Sequence, residues 1–266
     1  MTIKRYALIA PLLIVVLFFW SLFSSADDTI LADYGKTVGP MKTNEIRMIE
    51  EEVVITVDDY IDKRAGFPLR RASVKCTFLL KNDSAKTIEA TVGFPGNEQN
   101  TSSKYSEPII DFVTVIDGQR FKIKTKKEIL KEDNKTGFQV FRNWYTWNMK
   151  FPANSTVKVD NSYLQYLSAP LSGYDPFYLN YELSTGANWK GKIGKATIKV
   201  IYKNAADMEK RVCDIKPKGW VRRQNEIVWN LQNIEPTQND NISICERNLG
   251  VDYPESRRKP LLFKKE

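Results

Sequence analysis

The sequence contains no histidine in its 266 residues. That removes the commonest general base, the commonest metal ligand and the usual proton switch near neutral pH. Ser-His-Asp and Cys-His hydrolases are excluded, as is any His-ligated zinc or haem site. Cysteine is scarce: Cys76, Cys213 and Cys245 are the full complement, and their spacing fits neither a C-x-x-C redox pair nor a zinc knuckle. Phosphate-loop spacing is missing too, since Gly191-Lys192-Ile193-Gly194-Lys195 has the wrong interval between its glycines. Carboxylates, lysine and tyrosine remain chemically able to catalyse, but no motif points to them. The expectation is a protein that is not an enzyme and that uses no cofactor and no metal.

What the sequence does have begins at its N-terminus. Lys4 and Arg5 precede an almost unbroken apolar run over residues 7–23, and Ser24-Ser25-Ala26 then offers small residues where a signal peptidase reads them. This predicts a signal peptide over residues 1–26, cleaved after Ala26, and a periplasmic or secreted protein. An uncleaved membrane anchor is the alternative, because the run approaches the roughly 17 residues needed to span a bilayer. No later apolar stretch is that long. Cleavage would remove two cations and no acid, leaving 38 Lys and Arg against 32 Asp and Glu. In an exported chain that excess reads as solubility or attraction to an anionic envelope surface; no nucleic-acid partner is expected.

Residues 27–44 read as an extended lead-in. Alternation of apolar and polar residues then predicts strands almost continuously over residues 45–250. Val74, Cys76, Phe78 and Leu80 share one face, so Cys76 reads as a small buried residue. Phe112 to Ile116, Asp117-Gly118 and Gln119 to Lys124 form the clearest hairpin, because a type I′ turn needs positive φ at both central residues. Residues 125–135, with Ile129 and Leu130 among mixed charges, read as a short surface helix or a loop, and a weak break between sub-domains falls near 125–137. Residues 168–176 read as a loop, and residues 251–266 as a basic flexible tail. Cys213 and Cys245 each lie beside β-like sequence, and a bridge between them would contribute about 3–4 kcal/mol; three free thiols is the alternative. About a dozen short strands separated by turn signals predict an all-β, mainly antiparallel fold, a β-sandwich or two packed sandwiches with at most short helices.

Several phrases occur together: Trp147 with Phe151-Pro152-Ala153, the Y-E-L-S-T-G-A-N-W run from Tyr181 to Trp189, and Gly191-Lys192-Ile193-Gly194. Val212-Cys213 and an N-E-I-V-W strand follow; Lys81-Asn82-Asp83-Ser84, Phe94-Pro95 and the Val115 to Gly118 turn precede them. In this order the chain resembles the exported bacterial family catalogued as domain of unknown function 4424, over most of residues 43–247. The resemblance implies an extracytoplasmic β-rich domain and brings no activity and no catalytic residues. It departs at Asp160-Asn161-Ser162-Tyr163, where similar proteins carry a histidine, and in a shorter middle region.

Two clusters are candidates for a ligand or partner surface. Gly186, Asn188 and Trp189 lie in an inter-strand loop, where they can hold a ligand or simply form a bend with an aromatic anchor. Trp144, Tyr145 and Trp147 concentrate aromatic area on one hairpin, as an exposed platform for sugars or peptide, or as part of a thick core. Trp144 and Trp147 fall on opposite faces of a regular strand, so one of them must meet solvent or a second layer. Glu50-Glu51-Glu52, Asp58-Asp59 and Asp62 fit no EF-hand loop and read as solvated strand ends. The leading expectation is a cell-envelope protein that binds an envelope protein or serves a structural role. Its rivals are a carbohydrate-binding module using exposed aromatics and a carboxylate-dependent glycan hydrolase. Membrane contact is expected only through an uncleaved N-terminus or the basic tail.

Overall fold

The computed structural model describes residues 28–33, 38–61, 68–101, 109–168 and 176–249. The expected signal peptide 1–26, Asp62, residues 169–175 of the expected loop and the expected tail 251–266 lie outside the described residues. Within them, the alternating segments form three sheets. The long sheet runs β14 (Val221–Arg223), β15 (Glu226–Ile234), β12 (Ile193–Ile201), β3 (Ile46–Ile61), β4 (Pro68–Asn82), β10 (Thr156–Tyr166), β6 (Ile110–Ile116) and β7 (Gln119–Arg120). A second sheet runs β2 (Val38–Met41), β1 (Thr29–Asp33), β5 (Ile88–Asn100), β9 (Phe138–Phe151) and β8 (Lys124–Asp133). The third is β11 (Phe177–Tyr181), β16 (Ile242–Glu246) and β13 (Val212–Lys216). Among the described strands every pairing is antiparallel except β12 with β3. The only helices among the described residues are α1 (Ala205–Arg211) and two short 3-10 turns, Ser184–Asn188 and Gln238–Asp240.

Period-two alternation decides which face of the long sheet is covered. Val53, Ile55 and Val57 of β3 lie beside Val74, Cys76 and Phe78 of β4, with Val157 and Val159 of β10 and Ile198 and Val200 of β12 in the same layer. All are buried, and one continuous core joins them to Val92, Phe94, Trp147 and Phe151 of the second sheet and to Leu179, Ile215 and Ile244 of the third. Each such side chain contributes about 1.5–3 kcal/mol relative to exposure. The other face carries ion pairs in water: Lys195 to Glu50 at 2.8 Å, Lys199 to Glu52 at 2.9 Å and Lys158 to Asp160 at 2.9 Å. Exposed pairs of this kind contribute at most about 1 kcal/mol each.

A bulge at Ile49 resets the alternation of β3, so Met48 and Glu51 both point inward. Gly194 of the neighbouring β12 is required there, because a Cβ would stand 2.5 Å from the Ile49 carbonyl oxygen. The expected turn is present, with Asp117 and Gly118 at φ of 46° and 84° between β6 and β7, but the returning strand ends at Arg120, and Lys124, expected as its end, opens β8 of the second sheet.

Three expectations change, and one is Glu51, read as a solvated strand end but fully buried within β3. Residues 125–133, expected as a short helix or a loop, lie in β8, paired along most of its length with β9, and 134–135 begin the turn that follows. Their lysines and glutamates are good helix formers, yet the same charged residues are what an exposed sheet edge carries to avoid pairing with another chain. The residues of the expected break, 125–137, thus lie in the β8–β9 hairpin. The lead-in is also more than an external extension, since β1 pairs with β5 through Thr29–Gly93 and Ile30–Val92. Asp28 and Thr29 have no exposed surface.

Candidate functional site

The aromatic hairpin goes inside. Trp144 is 0% exposed and Trp147 3% exposed, on opposite faces of β9 as the odd spacing requires. Trp147 stacks at 6.2 Å on Phe112 between the sheets. Trp144 meets Leu31 of β1 on the other face, and its indole N–H donates to Glu128 at 2.7 Å. Tyr145 is half-buried: its ring stacks at 4.8 Å on Phe112, its hydroxyl donates to the Ile109 carbonyl, and burial pushes its pKa up to about 12. None of the three rings lies open as a platform, so the expectation of a sugar-binding surface built on exposed aromatics is corrected. A second layer covers each face of β9.

The loop motif is likewise an anchor. Trp189 is buried, meets Phe151 edge-on at 6.3 Å, and donates from its indole nitrogen to the Asp28 carbonyl at 2.8 Å. The Asn188 carbonyl accepts from the Thr43 amide at 2.8 Å, and Gly186 is buried inside the 3-10 turn, where its carbonyl accepts from the Trp189 amide. Gly186 does not take positive φ, so it contributes small size rather than left-handed backbone. Together these residues fasten the start of β1 to the body of the fold.

No motif in the sequence marks the polar groups around that fastening. Asp28 and Glu51 are both fully buried and near enough for their charges to repel. Asn161 donates to the Asp28 carboxyl at 2.7 Å, Thr114 donates to the Asn161 carbonyl at 2.5 Å, and the Tyr181 hydroxyl donates to Glu51 at 2.9 Å. Burial drives the Asp28 carboxyl well above the usual carboxylate range; Asn161 opposes the shift and Glu51 adds to it. Such a carboxyl holds its proton readily, but it has no exposed surface through which to exchange it with a substrate.

A second cluster centres on Arg142 of β9. Glu98 of β5 and Glu128 of β8 lie directly opposite it on the two flanking strands, and Glu182, just beyond β11, approaches from the third sheet. The guanidinium is 3.4 Å from Glu98 and 3.5 Å from Glu182, with the Trp144 ring 5.9 Å away. Burial raises both the Glu98 and the Glu182 carboxyl, against the pull of Arg142. A third cluster ties β4 to β16: Arg70, 2% exposed, donates to the fully buried Glu246 at 2.8 Å and to Asp59 at 2.9 Å. Burial raises Glu246 too, opposed by Arg70. Beside this network the disulfide Cys213–Cys245 joins β13 to β16, while Cys76 stays a buried thiol.

Among the described residues no group of three or more Cys, Asp or Glu is placed to hold a metal ion, and no helix is long and apolar enough to cross a membrane. The arrangement is three charged knots, each joining one sheet to another.

No family model matches the chain, and no curated protein matches it in sequence. Among solved structures, it is similar to a Legionella pneumophila protein provisionally described as nutrient-binding, with a TM-score of 0.62 at 17% identity, over 84% of this chain and 70% of that one. At that identity the likeness shows a shared fold. A weaker likeness, with a TM-score of 0.37 at 10% identity, links 77% of the chain to 43% of an M1 zinc metallopeptidase from Deinococcus radiodurans and carries no argument about activity. The chain is an all-β, mainly antiparallel protein of sandwich type, stapled by one disulfide among its described residues.

Proposed function

We propose that this chain is an exported, non-catalytic β-sandwich protein of the cell envelope that works by binding a partner. The observation that carries the reading is the complete burial of two of its raised acids, while a third, Glu98, is partly exposed but held by Arg142. Asp28 and Glu246, whose protonation is shifted upward, have no exposed surface, and each is engaged by neighbouring strands. A group that cannot meet a substrate serves the fold, which leaves the surface for function. The Cys213–Cys245 disulfide supports an oxidising compartment, in keeping with a signal peptide cleaved after Ala26 and with the resemblance to domain of unknown function 4424. The shared fold with a protein provisionally described as nutrient-binding is compatible with a binding role.

Chemical cross-linking in the native host, followed by purification of the tagged protein and mass spectrometry, tests the proposal. A specific envelope component recovered with it is the expected result. Turnover of an envelope substrate by the purified protein, abolished by one carboxylate substitution, would overturn the non-catalytic reading.

A further inference from the structure

The exposed lysines of the long sheet are mostly matched. Lys195, Lys199 and Lys158 each meet a carboxylate within 3 Å, and Lys150 meets Glu89 at 2.7 Å across β5 and β9. Lys75 of β4 and Arg223 of β14 are exposed and form no ion pair among the described residues, and one stretch collects three such cations. Where the chain leaves the edge of the long sheet at β7 and enters the edge of the second sheet at β8, Arg120, Lys122 and Lys124 are all exposed, and none forms an ion pair among the described residues.

Their spacing follows from the backbone. Phe121 and Ile123 alternate with them and turn inward onto the core, and the Phe121 amide continues the ladder of β6 and β7 by donating to the Thr114 carbonyl at 3.1 Å. An extended chain places every second side chain on one face, about 7 Å apart. The apolar residues hold this crossing strap down, and the cations form a single outward row. Farther along β8 the pattern ends: the Lys127 ammonium sits 4.0 Å over the Phe141 ring and donates to Gln139.

We propose that this strap is a binding site for a linear polyanion, an envelope polymer bearing phosphate groups along an extended chain. Unpaired cations release counterions from such a polymer without first breaking an ion pair of their own, so they contribute more than matched lysines do. A row favours a thread-like partner over a bilayer, which would engage a broad two-dimensional patch. The site rests on the partner-binding reading above and gives that partner a chemical class. Binding measured with purified components can fail while cross-linking still recovers an envelope protein, so the two are tested separately.

The test is binding of fluorescent inorganic polyphosphate to the purified protein across a salt series. Wild type is expected to bind at low salt. The triple substitution R120Q, K122Q and K124Q should weaken binding at least tenfold and lower the slope of log K against log salt by about 2, at roughly 0.7 for each phosphate no longer neutralised. A control removing three matched cations, K150Q, K195Q and K199Q, carries the same net charge and should stay within about threefold of wild type on the same counterion argument. All six residues lie at the surface, so circular dichroism should show both variants folded. Equal weakening by both triples would reduce the effect to net charge and overturn the site. So would a lack of wild-type binding. Tighter binding to anionic phosphatidylglycerol vesicles than to polyphosphate, lost on removing the same three cations, would overturn the polymer in favour of a lipid surface.

Discussion

Replacing Asp28 by asparagine should make the protein more stable at neutral pH, by an amount that grows with pH. The carboxyl is fully buried, and burial is the largest cause of its raised pKa. In the unfolded chain it titrates near 3.9, whereas in the fold it keeps its proton to higher pH. Between those two values the folded state binds one more proton than the unfolded one. Its contribution is therefore fully present below about pH 4 and is lost as pH rises through the folded pKa, at up to about 1.4 kcal/mol per pH unit. The amide keeps an oxygen to accept from Asn161, which now donates to the carboxyl at 2.7 Å. Glu98, Glu182 and Glu246, also raised, titrate in parent and variant alike and largely cancel in the difference. Urea melts followed by tryptophan fluorescence from pH 4 to pH 8 read the effect. The two proteins should converge near pH 4 and separate steadily above it. A difference that stays constant over that range would show that Asp28 is ionised in the fold, and burial would not be what sets its charge.

The Arg70 knot and the disulfide give two more outcomes. Arg70→Met should cost about 3–5 kcal/mol in urea melts, because it strands a fully buried Glu246, whereas adding Glu246→Leu should recover most of that loss. Replacing Cys213 and Cys245 together by serine should cost about 3–4 kcal/mol on the loop-entropy model, for a bridge between residues 32 apart in sequence. Dithiothreitol should then shift the melting temperature of the parent and leave the serine variant unmoved.

Much of this architecture was legible because it rests on local rules. Asp117-Gly118 can occupy positive φ, so the β6–β7 hairpin followed from two residues. Val74 to Leu80 alternates cleanly, and Cys76 falls where the alternation puts it. Cys213 and Cys245 each sit in a short C-terminal strand, and the pairing of β13 with β16 brings them together. What escaped depends on contacts far apart in sequence. Glu50-Glu51-Glu52 looks uniform, and only the bulge at Ile49 decides that the middle one turns inward. β8 is rich in helix formers and becomes a strand because β9 offers it an edge. The face of Trp144 is closed by Leu31, more than a hundred residues upstream in a segment that reads as a lead-in. The exposed cations of 120–124 were visible as letters, but that none of them forms an ion pair among the described residues required the positions of the acids described around them.

The burial of Asp28 is costly enough to need a reason, and the pairing of β1 supplies one. β1 is registered against β5 by two residue pairs, and a one-residue slip would move Thr29 and Leu31 together to the opposite face. Backbone pairing that short holds weakly. The Asn161 bond to the Asp28 side chain and the Trp189 bond to its carbonyl fix the strand at a defined point. A buried polar contact can be kept for register even where it does not add stability. Alanine at position 28 separates the two roles. Like asparagine it removes the ionisable carboxyl, but it also removes the acceptor, leaving the Asn161 amide unpaired at a cost of about 1–3 kcal/mol. Native-state hydrogen exchange should then show faster exchange at β1 and its β5 partners Val92 and Gly93 in the alanine variant, with protection retained in the asparagine variant. Equal protection in both would assign the register to Trp189 and the backbone alone, and leave the Asp28 side chain without a structural role.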